Sequence, residues 1–538
     1  MKNKNLIKSF MKKVLFILIA FISIQVSSQT ITATIEYQGY DESQAYFGEG
    51  EYELFLDNID GVLDKPIIMI DGFDPGDGRD ISMLYAGLNF NGENLADILR
   101  NEGYDFIALN APLYTTDGKD IDGGADYIQR NAMVLVELID FINNEKVGSE
   151  ELVVIGPSMG GLIARYGLSY MEQNSMDHET RLYISFDSPH LGANIPVSFQ
   201  YLINYFAKDQ DNEQAQAVID NVLNSPAAKE MLIDHYSGHL LAGSDFEQDP
   251  TLLLPVGAPN FRDAFQTELD NLGFPQDVRN VTMINGSGNG TTIGTPGMSM
   301  IDTTLDLGNN LTADISLHFA PDAGETINIT DFTTYFIGIP VASFEAFEES
   351  FVFTDGLDSS PGGKGDITSG LADLDDPLID AFLEALEQEN YSFIPTMSSL
   401  AIINENNWYE NPNVGDSPFA NTYVPSENED HVTITEQNAA FALSEIRQEP
   451  LNTIDYELVN YILMENPVSE QIRLKLKPSL LYNNVSISVY NTSGQQIITK
   501  KIQNPSDIIS INHYLKSGIY ILNVVDDAYN YNTKMIVK

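Results

Sequence analysis

Hydrophobic positions change their period several times along the chain, and the changes mark out its segments. Between residues 29 and 65 they alternate with polar ones, in Ile31-Thr32-Ala33-Thr34-Ile35-Glu36-Tyr37 and again, after a Gly/Glu turn, in Tyr52-Glu53-Leu54-Phe55-Leu56. Alternation of this kind predicts short strands with one buried face. From Pro66 it gives way to unbroken apolar runs at Ile67–Ile70, Phe106–Leu109, Leu152–Ile155 and Leu182–Phe186. Segments with helical spacing lie between them, at Leu95–Asn101, Tyr127–Asn143 and Leu162–Met171. A strand that is apolar at every position is buried on both faces. The pattern therefore predicts an α/β architecture, a mostly parallel sheet with helices on either side.

Residues 197 to 278 carry no strand pattern. Phe199, Leu202, Ile203 and Phe206 follow helical spacing, as do Ala215, Val218, Ile219 and Val222. This segment reads as a helical insertion, in the place where a lid would sit. The strand pattern resumes at Val281–Ile284. Residues 297 to 354 are rich in further strand patterns, such as Ile315–Phe319 and Thr333–Ile337, that find no place in the main sheet. From Asn466 alternation returns in Ile472–Leu476, Val485–Tyr490 and Ile519–Val524, separated by the turns Asn491-Thr492-Ser493-Gly494 and Lys516-Ser517-Gly518. A small all-β sandwich is expected there. The expected organisation is a main domain at 29–448, a linker at 449–465 and the sandwich at 466–538, since 538 residues exceed one ordinary core.

The first 28 residues stand apart. Lys2, Lys4, Lys8, Lys12 and Lys13 precede an apolar run from Val14 to Val26, and Val26 and Ser28 fit the small-residue rule for cleavage before Gln29. They read as a signal peptide, the run being shorter than the roughly 20 residues of a membrane span. Losing five lysines takes the net charge from −51 to −56. So acidic a chain is repelled by nucleic acid and by anionic membranes. The tail runs against this trend, with eight Lys/Arg and four Asp/Glu from 466 to 538. There are no cysteines, so neither disulfides nor thiolate chemistry enter.

Candidate chemistry centres on Leu152-Val153-Val154-Ile155-Gly156-Pro157-Ser158-Met159-Gly160-Gly161, a strand, a G-x-S-x-G turn and a helix start. A serine on so tight a turn is pushed out at the end of the sheet, and glycines two before and two after leave room for neighbouring chain. Ser158 is the candidate nucleophile. The Met159 N–H, at a helix N-terminus, is a candidate oxyanion donor. The Phe73 N–H is the second, in the loop Asp71-Gly72-Phe73 that follows the first unbroken run. Of seven histidines, His178, His235 and His239 fall in helical or inserted segments, His318 in a strand pattern and His513 in the tail. His431 lies in a polar loop before the last helix pattern of the main domain, Thr435 to Ile446, where the chain order Ser, acid, His puts the base. His190 is the second candidate, read as shaping the pocket. The loop after Val281–Ile284, the usual place for the acid, holds no carboxylate. Asp187, directly after Leu182–Phe186, is the leading choice, with Asp302, Asp355 and Asp358 as alternatives.

Residues 66 to 446 resemble lipase-like α/β-hydrolases. Gly156 to Arg165 is similar to the lipase elbow and its helix, and Asp187-Ser188-Pro189-His190-Leu191-Gly192-Ala193 to the Thr-Pro-His-x-Gly segment of bacterial lipases. Ala125-Asp126-Tyr127-Ile128-Gln129-Arg130-Asn131-Ala132 is similar to a segment of exported hydrolases of Bacteroidetes. The chain departs from the pattern at Pro157, where many lipases have histidine, and in the missing late carboxylate. The resemblance implies ester hydrolysis through Ser158 with His431 as base. The tail resembles the C-terminal sorting domain of the type IX secretion system. The residues that carry this are Asn466-Pro467-Val468, Val489-Tyr490-Asn491-Thr492-Ser493-Gly494, Leu515-Lys516-Ser517-Gly518-Ile519-Tyr520 and Lys534-Met535-Ile536-Val537-Lys538. It implies the secretion machinery as a partner, and export through the periplasm to the cell surface or medium.

The expected substrate is a small-molecule or lipid ester, and no cofactor or metal is assigned. Two aspartate-rich loops, Asp71 to Asp80 and Asp117 to Asp126, offer calcium-type oxygens without the EF-hand spacing. A non-catalytic binding protein or adhesin on the same fold is the rival reading.

Overall fold

The computed structural model describes residues 28–368, 377–403, 407–447, 461–464, 466–476, 484–491, 494–503, 508–525 and 530–538. Residues 1–27 of the expected signal peptide and 449–460 of the expected linker lie outside them. The chain divides between Gln448 and Glu449 into two compact units.

The first unit is built on an eight-stranded sheet. Its strands are β1 (Gln29–Thr32), β2 (Glu49–Phe55), β3 (Pro66–Ile70), β4 (Asp105–Asn110), β5 (Leu152–Pro157), β6 (Thr180–Phe186), β7 (Arg279–Met283) and, at the far edge, Asn421–Tyr423. The spatial order is β1-β2-β4-β3-β5-β6-β7 and then the edge strand. β1 and β2 pair antiparallel with their neighbours, and every pair from β4 onward is parallel. This is the expected α/β-hydrolase sheet.

The unbroken apolar runs are explained by burial on both sides. Ile67, Met69, Phe106, Ala108, Val153, Ile155, Leu182 and Ile184 share a core with helices α1 (Ile81–Ala86) and α2 (Leu95–Asn101) and the late helix Glu436–Ile446. The alternate residues, Ile68, Ile70, Ile107, Leu109, Val154 and Tyr183, pack with α3 (Ile128–Glu145) and α4 (Met159–Gln173). Each such aliphatic side chain, once buried, contributes about 1.5–3 kcal/mol before entropy is counted.

One early pattern is cut short. The alternation through Tyr37 forms a strand only as far as Thr32, because the amide and hydroxyl of Thr34 bond to Glu137 on α3 at 3.2 and 2.6 Å and draw the chain off the sheet edge.

Two insertions follow β6 and β7. The first is helical, as expected, and includes α5 (Val197–Lys208) and α6 (Arg262–Leu272). The strands of 297–354 do not join the main sheet. They form a separate antiparallel meander of β8 (Ser299–Gly308), β9 (Leu311–His318), β10 (Thr326–Phe336) and β11 (Ile339–Glu349). The meander packs on α5, where Tyr205 stacks on Phe344 at 4.8 Å and Phe206 meets Phe332 edge-on at 4.9 Å. Each insertion thus seals the apolar face of the other, and together they make one cap. A hairpin of β12 (Gly362–Asp366) and β13 (Asn390–Pro395) completes the unit.

The second unit is a small β-sandwich. One sheet comprises Tyr461–Leu463, Gln471–Leu476 and Ile508–Asn512, and the other Gln496–Gln503, Asn484–Asn491, Gly518–Val525 and Asn530–Val537. Ile472, Leu474, Ile509 and Ile511 meet Val485, Ile487, Leu522 and Val524 between them. Among the described residues, no helix is long and apolar enough to cross a membrane.

The turn between β10 and β11, Ile337-Gly338, has φ of 51° and 73°. A two-residue turn with both φ positive favours Asn-Gly, and a β-branched residue is strained there. Ile337→Asn is expected to stabilise the protein by about 0.5–1 kcal/mol in chemical denaturation.

Candidate active site

Ser158 stands where β5 turns directly into α4, with φ 53° and ψ −129°. Side-chain-bearing residues avoid this region, and here the surroundings hold it in place. The Ser158 N–H donates to the Phe186 carbonyl at 2.8 Å, and the Gly161 N–H to the Ser158 carbonyl at 3.1 Å. A Cβ on Gly156 would lie 2.5 Å from the backbone of Gly160 and Gly161, and one on Gly160 would lie 2.9 Å from the Ile70 and Asp71 carbonyl oxygens. Both glycines are therefore required sterically, and their lack of side chains lets the helix start touch the loop after β3. The hydroxyl is left partly exposed at the end of the sheet.

His431 lies in the loop leading to the helix Glu436–Ile446, which Thr435 and Asn438 cap reciprocally. Its Nε2 is 2.9 Å from Ser158 Oγ, and its Nδ1 is 2.7 Å from Asp187 Oδ2. An Nδ1–H donated to the carboxylate leaves Nε2 free to accept from the serine hydroxyl. The ring is held edge-on by Phe393 of β13 at 4.9 Å, and the His431 N–H donates to the Lys364 carbonyl of β12 at 3.0 Å. The next residue, Val432, has φ 51°.

Asp187 follows β6 directly and is itself at φ 46°, with no exposure to solvent. A buried carboxylate needs donors. Oδ1 accepts from the Asn285 N–H at 3.1 Å and the Ser399 hydroxyl at 3.0 Å, and Oδ2 faces His431. Gly363 of β12 packs against it so closely that a Cβ there would lie 2.1 Å from Oδ2. Glu429 is nearby, accepting from the Asn285 side chain at 2.8 Å, and burial followed by the Asp187 charge raises its pKa.

The other acids considered are engaged elsewhere. Asp302 is exposed on β8. Asp355 accepts from the Ala323 N–H, and Asp358 from the Asn194 side chain and the Ala320 N–H. His190 is not at the site. It is fully buried against Phe274 and Phe419 and bonded to Ser185 at 2.9 Å, with burial and then the Arg165 charge lowering its pKa well below the usual range. It braces β6 through Ser185.

The loop carrying Phe73 passes close over the serine, since a Cβ on Gly72 would lie 3.1 Å from Ser158 Cβ. Arg79 ties the loop down, donating to Asp71 at 2.9 Å and to the Phe73 carbonyl at 2.8 Å. Neither the Phe73 nor the Met159 N–H donates to a protein acceptor among the described residues. The aspartate-rich loops are largely bonded internally: Asp74 accepts from the Arg79 N–H, Asp122 from the Gly76 N–H, and Asp126 pairs with Arg130 at 2.7 Å, while Asp71 Oδ2 and Asp122 Oδ1 have no partner among the described residues. Among the described residues, no group of acids and histidines is arranged to hold a metal ion.

Sequence reasoning did not single out Asn285, Ser399, Gly363 or Phe393. Asn285 lay in the loop examined for the acid and Gly363 in the stretch that follows Asp358, but nothing local marks Ser399 or Phe393.

Comparison with known proteins finds two family matches along the chain. Residues 118–217, which hold Ser158 and Asp187, match the family described as "Putative serine esterase (DUF676)". Residues 466–538 match the "Secretion system C-terminal sorting domain". No curated protein sequence matches the chain. Among solved structures, the propeptide form of the Bacillus licheniformis lipase BlEst2 is 10% identical over 90% of this chain and 96% of that one, with a TM-score of 0.32. Its mature form is 12% identical over 45% and 73%, with a TM-score of 0.27. Est1E from Butyrivibrio proteoclasticus is 13% identical over 44% and 74%, with a TM-score of 0.23. Superpositions this loose add nothing to the chemistry.

A Cβ at residue 363 displaces Asp187 and with it His431. Gly363→Ala is expected to lower kcat for ester hydrolysis by about 100-fold or more in a folded protein. Ser399→Ala removes one of two donors to Oδ1 and is expected to cost about tenfold in kcat, with KM little changed.

Proposed function

We propose that this serine ester hydrolase acts through Ser158 as nucleophile, His431 as general base and acid, and Asp187 as the group that orients His431. The observation that carries the reading is the unbroken chain of contacts, 2.9 Å from Ser158 to His431 and 2.7 Å on to Asp187.

The geometry supports an acyl-enzyme reaction. Ser158 Oγ gives its proton to His431 Nε2 and bonds to the ester carbonyl carbon. Negative charge then gathers on the former carbonyl oxygen, where the Phe73 and Met159 N–H groups donate to it. The carbon–oxygen bond to the alcohol breaks, and the alcohol leaves with the proton from His431. Water, losing a proton to His431, attacks the acyl carbon, and the acid departs as Ser158 regains its proton. Throughout, the buried Asp187 carboxylate stabilises the imidazolium and keeps Nε2 directed at Ser158.

The substrate class we assign is a carboxylic ester with an apolar acyl group, such as a lipid or acyl ester. The support is Phe393, which gives the base an apolar neighbour, and the apolar cap inserted after β6. The sorting domain marks the protein for type IX export. We assign it to the outer cell surface or the medium, reached through the periplasm.

Ser158→Ala is expected to reduce turnover of p-nitrophenyl esters by about 10⁴-fold or more, and Asp187→Asn by about 10⁴-fold, while each variant keeps its circular dichroism spectrum. A series of acyl lengths is expected to show rising kcat/KM beyond the acetate. Failure of the folded wild type to turn over any ester would favour a binding protein on this fold.

A further inference from the structure

The cap holds a second feature that the ester chemistry does not use, a cavity of about 210 Å³. Its lining includes four carboxylates, Asp234, Glu348, Asp355 and Asp358, and three aromatic rings, Phe351, Phe353 and Trp408. No lysine or arginine lines it. Asp355 and Asp358, two of the acids considered for the active site, line this cavity.

Part of this acid is already satisfied. Asp358 accepts from Asn194 at 2.9 Å and the Ala320 N–H at 2.8 Å, and Asp234 Oδ1 lies 2.6 Å from His239 Nε2 and 3.1 Å from the Val256 N–H. Asp234 Oδ2 and Glu348 Oε2 have no hydrogen-bond partner among the described residues, although each residue is only 4% exposed. Buried polar atoms are seldom left so. Burial, then the charges of Asp234 and Asp358, raise the Glu348 pKa well above the carboxylate range, and burial pushes Asp358 up to about 6. The one basic neighbour of these acids among the described residues is His239 beside Asp234, whose pKa is raised, against the effect of burial, by the Asp234 charge.

A bare metal ion is a poor answer. The described residues offer no cage for one, the space is several times the volume of a water molecule, and aromatic walls supply no oxygen ligands. Aromatic faces beside carboxylates suit an organic ammonium, which is drawn to both. Phe351 and Phe353 stack at 5.2 Å, and Phe353 is 53% exposed, so ligand could enter beside it.

We propose that this cavity binds a small organic cation of the quaternary or alkylammonium type, with Glu348 and Asp234 as its counter-charges and Phe351, Phe353 and Trp408 as its aromatic walls. The proposal does not depend on the Ser158 chemistry.

Trp408 is the chain's single tryptophan, so its emission reports on this cavity alone. The full exported protein would be titrated with choline and with 3,3-dimethyl-1-butanol, its uncharged isostere, and followed by emission and by calorimetry. Saturable binding of choline is expected, with the alcohol at least about tenfold weaker. Glu348→Gln is expected to weaken choline about tenfold or more. Phe353→Ala, at an exposed position, tests the aromatic wall if the buried variant does not fold, and is expected to weaken choline several-fold. Equal binding of the two ligands, no heat and no emission change with folded wild type, or unaltered choline affinity in folded Glu348→Gln would overturn the proposal.

Discussion

Asp187 is a carboxylate with no access to water, and the architecture around the site follows from what that requires. Such a group is tolerated only where donors replace its hydration, since leaving it bare costs several kcal/mol. Its partners come from Asn285 after β7, Ser399 after β13 and His431 before the last helix of the unit, segments far apart in sequence. Gly363 closes the fourth side. Long insertions can be carried between these segments because their ends are pinned at one oxygen pair. The positive φ values at Ser158, Asp187 and Val432 each cost about 1–3 kcal/mol, and the convergence of sheet, helix and loops around them is what holds them.

How much of this could be read beforehand follows from the range of the interactions. The main-sheet strands were legible because two-sided burial leaves unbroken apolar runs. Ser158 was legible because the elbow's steric demands are local, met by Gly156 and Gly160. The acid was only half legible. Asn285 occupies the loop where a carboxylate is usual, and it donates its backbone N–H to Asp187 on the neighbouring strand. The usual place was visibly empty and Asp187 led the alternatives Asp302, Asp355 and Asp358, but only the fold shows which of them lies beside His431. Ser399 and Gly363 were out of reach for the same reason. The strands of 297–354 were visible as strands, yet their partner is α5 through Tyr205 and Phe206, and period-two alternation does not say what a face packs against.

Strand β13 has neighbours in both the site and the cap cavity. Phe393 meets the His431 ring, whereas the carbonyl of Ser392 and the side chain of Asp358 both accept from Asn194, which lines the cavity. The two regions differ in chemistry: one orients a proton acceptor, the other concentrates acidic groups. The C-terminal sandwich needs neither. It carries its own apolar core and reverses the acidic balance of the preceding chain, as befits a domain that addresses the protein for export.

The most direct test of the account is the rate at which a fluorophosphonate inactivates the exported protein, with the adduct located by peptide mass spectrometry. The account predicts a single adduct on Ser158, formed readily in the wild type and orders of magnitude more slowly once Asp187 is changed to Asn, because His431 then loses the partner that directs it. An adduct elsewhere, none on a folded wild type, or equal rates with and without the Asp187 carboxylate would contradict it.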